Sequence, residues 1–169
     1  MRYKLLGQLR GAAGGASCPL DAPVPAGTGL EWAGPVRGLV EIVKSGDEYL
    51  ARGRLQATVV LPCSRCTAVH EVPLDVELEE RVALEQIDEP QAYQEAGADA
   101  GPIPVLNGEL VDLSELVRQW LVLHTPARSL CRPDCRGLCP QCGAELNQGP
   151  CGCPSAEGDP RLAALREWL

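Results

Sequence analysis

Val69-His-Glu-Val-Pro-Leu-Asp-Val-Glu-Leu-Glu-Glu-Arg-Val-Ala-Leu84 alternates strictly: Val72, Leu74, Val76 and Leu78 fall on one side, Asp75, Glu77 and Glu79 on the other. Successive side chains of a β-strand point to opposite faces, so a period of two with one acidic face marks a strand with one side on a core and one in water. Upstream, Glu48–Leu61 alternates more loosely, with Tyr49, Ala51, Leu55, Ala57 and Val59 on one side, and stops at Pro62. Before it, the β-branched run Val36–Lys44 ends at the turn signal Ser45-Gly46-Asp47. Three such runs joined by short turns predict an antiparallel β-meander, a partly open, barrel-like sheet.

Working outward, residues 11–29 are rich in Gly, Ala and Pro and read as a loop or linker, in which Cys18 is an isolated thiol without a role. Residues 86–108 lose periodicity and read as a long acidic loop. Asp112–His124 reads as a helix: Asp112 or Ser114 can cap it, Leu113, Leu116, Val117, Trp120, Leu121 and His124 repeat at helical spacing, and Pro126 ends it. Asp159-Pro160 opens a second, short helix with Leu162, Leu165, Trp168 and Leu169 on its apolar side. The expected class is α+β: the meander, one or two helices, and a cysteine-rich C-terminal lobe. The expected division is a β-rich domain over 1–125, containing the helix 112–124, and a zinc-binding tail over 126–169.

That tail holds six cysteines between Cys131 and Cys153. Cys139-Pro-Gln-Cys142-Gly143 has the form of a zinc knuckle, a tight turn that aims two sulfurs at one ion, with glycine available for a positive φ after the second Cys. Cys151-Gly-Cys153 can complete a tetrahedral set of Cys139, Cys142, Cys151 and Cys153, or Cys131 or Cys135 can replace one of these. Cys63-Ser-Arg-Cys66 is a second Cys-x-x-Cys, at a turn between two expected strands. Eight clustered thiols make two sets of four, so a second site can join Cys63 and Cys66 to Cys131 and Cys135; the alternative is that Cys63 and Cys66 are free or transiently oxidised. Thiolates without histidine favour zinc over an iron–sulfur cluster.

The chain carries a net charge of −8, and its balance shifts along its length: residues 67–130 hold thirteen acidic groups against three basic ones. Such a chain is poorly suited to non-specific binding of nucleic acid, which depends on neutralising phosphates. RNA contact would fall to the first third, with Arg2, Lys4, Arg10, Arg37, Lys44, Arg52, Arg54 and Arg65. No run approaches the ~20 apolar residues of a membrane span, and Met1–Arg10 lacks the apolar stretch of a signal peptide. We therefore expect a cytoplasmic protein, where clustered cysteines argue for metal over structural disulfides. No Ser–His–Asp set, phosphate-cradling loop or His-Glu-x-x-His motif is present, all-cysteine zinc sites are closed and structural, and so no enzymatic activity or small-molecule substrate is expected.

Cys63-Ser-Arg-Cys66, Asp112-Leu-Ser-Glu-Leu-Val with its Pro126-terminated helix, Cys135-Arg-Gly-Leu-Cys139-Pro-Gln-Cys142-Gly-Ala-Glu-Leu-Asn147, Cys151-Gly-Cys153 and Asp159-Pro-Arg-Leu-Ala-Ala-Leu occur here in one order. Together they resemble the bacterial YceD family, the large ribosomal RNA subunit accumulation proteins, over roughly residues 30–169. The resemblance implies a role in large-subunit ribosome biogenesis and 23S rRNA accumulation, through ribosomal RNA or a basic large-subunit ribosomal protein, without catalysis. A thiol redox sensor or metal-handling protein using Cys63 and Cys66 is the alternative from another class.

Overall fold

Strand β4 (Val36–Ser45) and strand β5 (Glu48–Pro62) pair antiparallel from Arg37↔Gln56 to Ser45↔Glu48, and strand β6 (Val69–Val82) pairs with β5 in turn. Three strands consecutive in sequence and adjacent in space form the expected meander. The computed structural model describes residues 1–9, 14–46, 48–87, 103–106 and 110–154; Asp47 of the turn signal, Arg10 and the helix expected after Asp159 lie outside them. The alternation in β5 and β6 is expressed as burial: Ala51, Leu55, Ala57, Val59 and Leu61 of β5 and Leu74 and Val76 of β6 are buried, while Asp75, Glu77 and Glu79 are exposed.

Residues 11–29 are not simply a linker. Gly15–Ala22 forms strand β2, paired antiparallel with β4 over eight positions from Gly15↔Val43 to Ala22↔Val36. Its burial alternates, with Ala16, Cys18 and Leu20 inside, so Cys18 is a core side chain. Burial pushes its thiol up to about 11, which keeps it protonated and inert. A two-residue strand, β3 (Glu31–Trp32), completes this five-stranded sheet by pairing with β5 at Val59 and Val60.

A second sheet runs in the order β1 (Arg2–Lys4), β9 (Leu110–Asp112), β8 (Ile103–Leu106), β7 (Leu84–Ile87). Both β7 and β8 take residues from or beside the stretch read as an acidic loop over 86–108. Ile103 and Val105 are buried, which is why this piece orders as a strand. Its pairing with β7 is parallel, from Leu84↔Ile103 to Ile87↔Leu106, in an otherwise antiparallel fold. The rest of the expected acidic loop, residues 88–102 and 107–108, lies outside the described residues. Among these, neither sheet closes into a barrel.

The described helices are a single turn, α1 (Leu6–Leu9), and α2 (Ser114–Leu123). Leu116, Val117, Trp120 and Leu121 of α2 enter the same core as the strand residues, and Trp120 Nε1 donates to Glu80 Oε2 at 2.9 Å. Neither Asp112 nor Ser114 caps the helix: Leu113 stands at the N-cap without a side-chain cap bond, and Asp112 lies one residue before it, its Oδ1 accepting from the Ser114 amide at 2.9 Å and its Oδ2 from Arg2 Nε at 3.0 Å. His124 ends the helix, its Nδ1 2.9 Å from the Trp120 carbonyl oxygen.

The chain groups into two units. Met1–Leu61 with Glu71–Ala127 holds both sheets and the apolar core; Pro62–His70 groups with residues 128–154. The β5–β6 turn, placed in the first domain by sequence reading, therefore belongs with the cysteine-rich segment.

Leu20 tests the strand assigned to Gly15–Ala22. Leu20→Ala should cost about 2–5 kcal/mol in urea unfolding, as for other buried leucines; a cost under about 0.5 kcal/mol would return the segment to a linker. Asp112 carries a second expectation. Burial opposes its ionisation, yet hydrogen bonds from the Ser114 hydroxyl and amide and from Arg2, with the N-terminal ammonium nearby, hold its carboxyl below the ordinary carboxylate range. A carboxyl with a depressed folded pKa stabilises the fold above its unfolded pKa, and that contribution fades as pH falls through the folded value. Asp112→Asn should thus lower the urea midpoint at neutral pH by an amount that shrinks below about pH 4. A difference independent of pH would contradict this.

Candidate metal centres

Both Cys-x-x-Cys turns adopt one backbone geometry. In Cys63-Ser-Arg-Cys66-Thr-Ala68 the Thr67 amide donates to the Cys63 carbonyl at 2.9 Å and the Cys63 amide to the Ala68 carbonyl at 2.9 Å. In Cys139-Pro-Gln-Cys142-Gly-Ala144 the Gly143 amide donates to Cys139 at 2.9 Å and the Cys139 amide to Ala144 at 2.8 Å. The residue after the second cysteine is left-handed in each, Thr67 with φ 62° and Gly143 with φ 73°. Gly143 takes this conformation without a Cβ penalty, whereas the branched Thr67 is strained in it. The first turn's likeness to the second is hidden in the sequence because Thr67 stands where a knuckle favours glycine.

Each turn meets a second pair of sulfurs. Cys63, Cys66, Cys131 and Cys135 bring their Sγ atoms within 4.8 Å of one another, and so do Cys139, Cys142, Cys151 and Cys153. In the first group Cys63 Sγ lies 3.7 Å from Cys135 Sγ, and Cys66 Sγ 3.6 Å from Cys131 Sγ. Sulfurs bound to one tetrahedral zinc at about 2.3 Å stand about 3.8 Å apart. A disulfide would require about 2.05 Å, and all nine cysteines are free. Of the ligand sets open to sequence reasoning, the structure thus assembles the one that divides eight cysteines into two fours, each able to hold a metal ion.

Backbone dipoles lower one sulfur in each group most strongly, while desolvation pushes Cys131 up to about 12 and the neighbouring Cys142 and Cys151 thiols push Cys153 up to about 12. The Cys63 thiol is held down to about 5, chiefly by the Cys131 backbone N–H and further by those of Cys66 and Arg65. The backbone N–H groups of Cys142 and Gln141 hold Cys139 down to about 6. Low pKa values favour the thiolate, the form that ligates metal.

The model of the family described as large ribosomal RNA subunit accumulation protein YceD matches residues 51–168, a stretch that contains all eight of these cysteines. The chain belongs to the YceD family. It is 33% identical over 130 residues to an uncharacterized protein of Mycobacterium tuberculosis, covering 77% of this chain and 59% of that one. An uncharacterized protein of Mycobacterium leprae is 29% identical over 141 residues, covering 83% and 62%. The large ribosomal RNA subunit accumulation protein YCED homolog 1, chloroplastic, of Arabidopsis thaliana is 34% identical over 62 residues, 35% of this chain and 19% of that one. The chain spans less than two thirds of the length of these curated relatives. No solved structure matches it.

In this YceD chain, the two middle residues of the Cys63–Cys66 motif and two polar residues outside any motif, Ser129 and His70, build the surroundings of the first cysteine group. The Ser64 amide donates to the Ser129 carbonyl at 2.8 Å, the Ser129 amide to Ser64 Oγ at 3.2 Å, and His70 Nε2 lies 2.6 Å from Ser129 Oγ. Arg65 Nη1 donates to the Cys135 carbonyl at 2.8 Å, and the Arg65 carbonyl accepts from the Leu138 amide at 3.2 Å. Three of the arginines considered for RNA sit against carboxylates: Arg37 with Asp21, Arg52 with Glu41 at 2.8 Å, and Arg54 with Asp75 at 2.6 Å and Glu77 at 3.3 Å. Among the described residues no helix is long and apolar enough to cross a membrane.

Gly137, between the two cysteine groups, has φ 77°, and a Cβ there would lie 3.0 Å from the Arg65 carbonyl oxygen and 3.2 Å from Arg65 Cβ. Gly137→Ala should therefore cost about 1–2 kcal/mol in thermal or urea unfolding. Unchanged stability would show that the Cys135–Cys139 segment does not need this close approach.

Proposed function

We propose that this chain is a non-enzymatic, zinc-binding factor of large ribosomal subunit biogenesis that acts in the cytoplasm and sustains accumulation of 23S rRNA. The observation that carries the ribosomal part is the family match over residues 51–168. Two all-cysteine groups of four support zinc as the metal and a structural role for it, because such sets leave no open position for substrate or water. The same geometry favours this reading over a thiol redox sensor: Cys63 and Cys66 each face a tail cysteine as well as one another.

The partner we favour is a basic large-subunit ribosomal protein over the RNA backbone itself. Net charge is −8, and Arg37, Arg52 and Arg54 sit against carboxylates, leaving those positions little positive field with which to attract phosphate.

Removal of the protein from its host should lower mature 23S rRNA relative to 16S rRNA, and the tagged protein should sediment with precursors of the large subunit. Normal 23S rRNA together with absence from ribosomal fractions would reject the proposal.

A further inference from the structure

The two cysteine groups are unequal in their surroundings. In the first, Cys63, Cys66 and Cys135 are buried and Cys131 alone is exposed. In the second only Cys139 is buried; Cys142 is exposed, and Cys151 and Cys153 are partly so. A metal ion leaves a four-thiolate site by stepwise replacement of its ligands by water, protons or a competing chelator. Sulfurs open to solvent offer that route; the second group has three such ligands and the first has one.

The groups are also joined. Cys135 serves the first and Cys139 the second, with Arg136-Gly137-Leu138 between them. The loop from Cys142 to Cys151 folds back on this tether: Leu138 bridges to Glu145, and the Leu146 amide donates to the Gly137 carbonyl at 2.9 Å. Asn147, in the same loop, extends its amide to the other group. Its Oδ1 accepts from the Arg136 amide at 2.8 Å and its Nδ2 donates to Cys135 Sγ at 3.5 Å. A side chain from the loop that closes the more exposed group thus hydrogen-bonds a sulfur of the more buried one. Such outer contacts fix a ligand's orientation and stabilise its charge.

We propose that the two centres form one coupled pair, in which Cys139, Cys142, Cys151 and Cys153 hold an exchangeable ion. Closure of that centre positions Asn147, which slows loss of the ion held by Cys63, Cys66, Cys131 and Cys135. The proposal rests on the metal-binding reading above and adds an order of release and a positioning residue.

Chelator challenge of the full-length zinc protein, followed by native mass spectrometry, tests it. Wild-type protein should lose one ion quickly and the second at least about tenfold more slowly. Cys151→Ser should hold one ion and release it faster than the wild-type slow phase. Asn147→Leu should hold two ions and speed the slow phase by roughly 10- to 100-fold, the usual effect of removing an outer-shell contact. In the 113Cd-substituted protein Asn147→Leu should move one of two cadmium resonances, the one that Cys63→Ser abolishes. Release of both ions at one rate, or an Asn147→Leu protein with wild-type release and an unshifted spectrum, would overturn the coupling while leaving metal binding intact. A protein purified without metal and unable to take up two equivalents would remove the underlying reading as well.

Discussion

Among the described residues, the buried cluster of the second unit consists of three cysteine side chains, Cys63, Cys66 and Cys135. The first unit has a conventional core of Leu, Val, Ile and Trp drawn from both sheets and α2. The described residues of the second show no comparable stock of buried apolar side chains; what they bring together is sulfurs from parts of the chain 65 and 72 residues apart. Small units that cannot bury enough apolar area need disulfides or metal to hold them. A metal ion held by four thiolates suits the case; structural zinc, for instance, binds small peptides with apparent free energies on the order of 10–16 kcal/mol. The Ser64–Ser129–His70 bonds and the approach of Gly137 to Arg65 lie beside that convergence.

The strands that were legible in the sequence were those with an amphipathic period of two. Glu48–Pro62 and Val69–Val82 each place apolar side chains on one face, and nothing in them disguises it. Gly15–Ala22 has the same period in Ala16, Cys18 and Leu20, but Gly14, Gly15 and Pro19 give it the composition of a loop. Its partner β4 fixes it as a strand through eight paired positions, a long-range fact that local composition does not carry. Ile103–Leu106 escaped for another reason. Four residues are too few to show a period, and its pairing with β7 is parallel and therefore needs a long connection that reads as loop.

The cysteine groups divided in the same way. The Cys139–Cys142 knuckle is evident from local spacing, and Cys151-Gly-Cys153 supplies its complement within a dozen residues. Which thiols complete Cys63 and Cys66 was open, because ligand pairing across the chain is a property of the fold. Asn147, Ser129 and His70 are ordinary polar residues in the sequence; their roles follow from which backbone groups and sulfurs they reach. Family membership, by contrast, rests on the joint order of motifs and is independent of whether metal is bound.

The pairing of the β5–β6 turn with the tail cysteines holds the first group of four together. Native mass spectrometry of the Cys63→Ala, Cys66→Ala double variant, purified beside the wild-type chain, addresses it most directly. The wild-type protein should carry two zinc ions and the double variant one, held by Cys139, Cys142, Cys151 and Cys153. Two ions in both proteins, or none in either, would contradict the pairing.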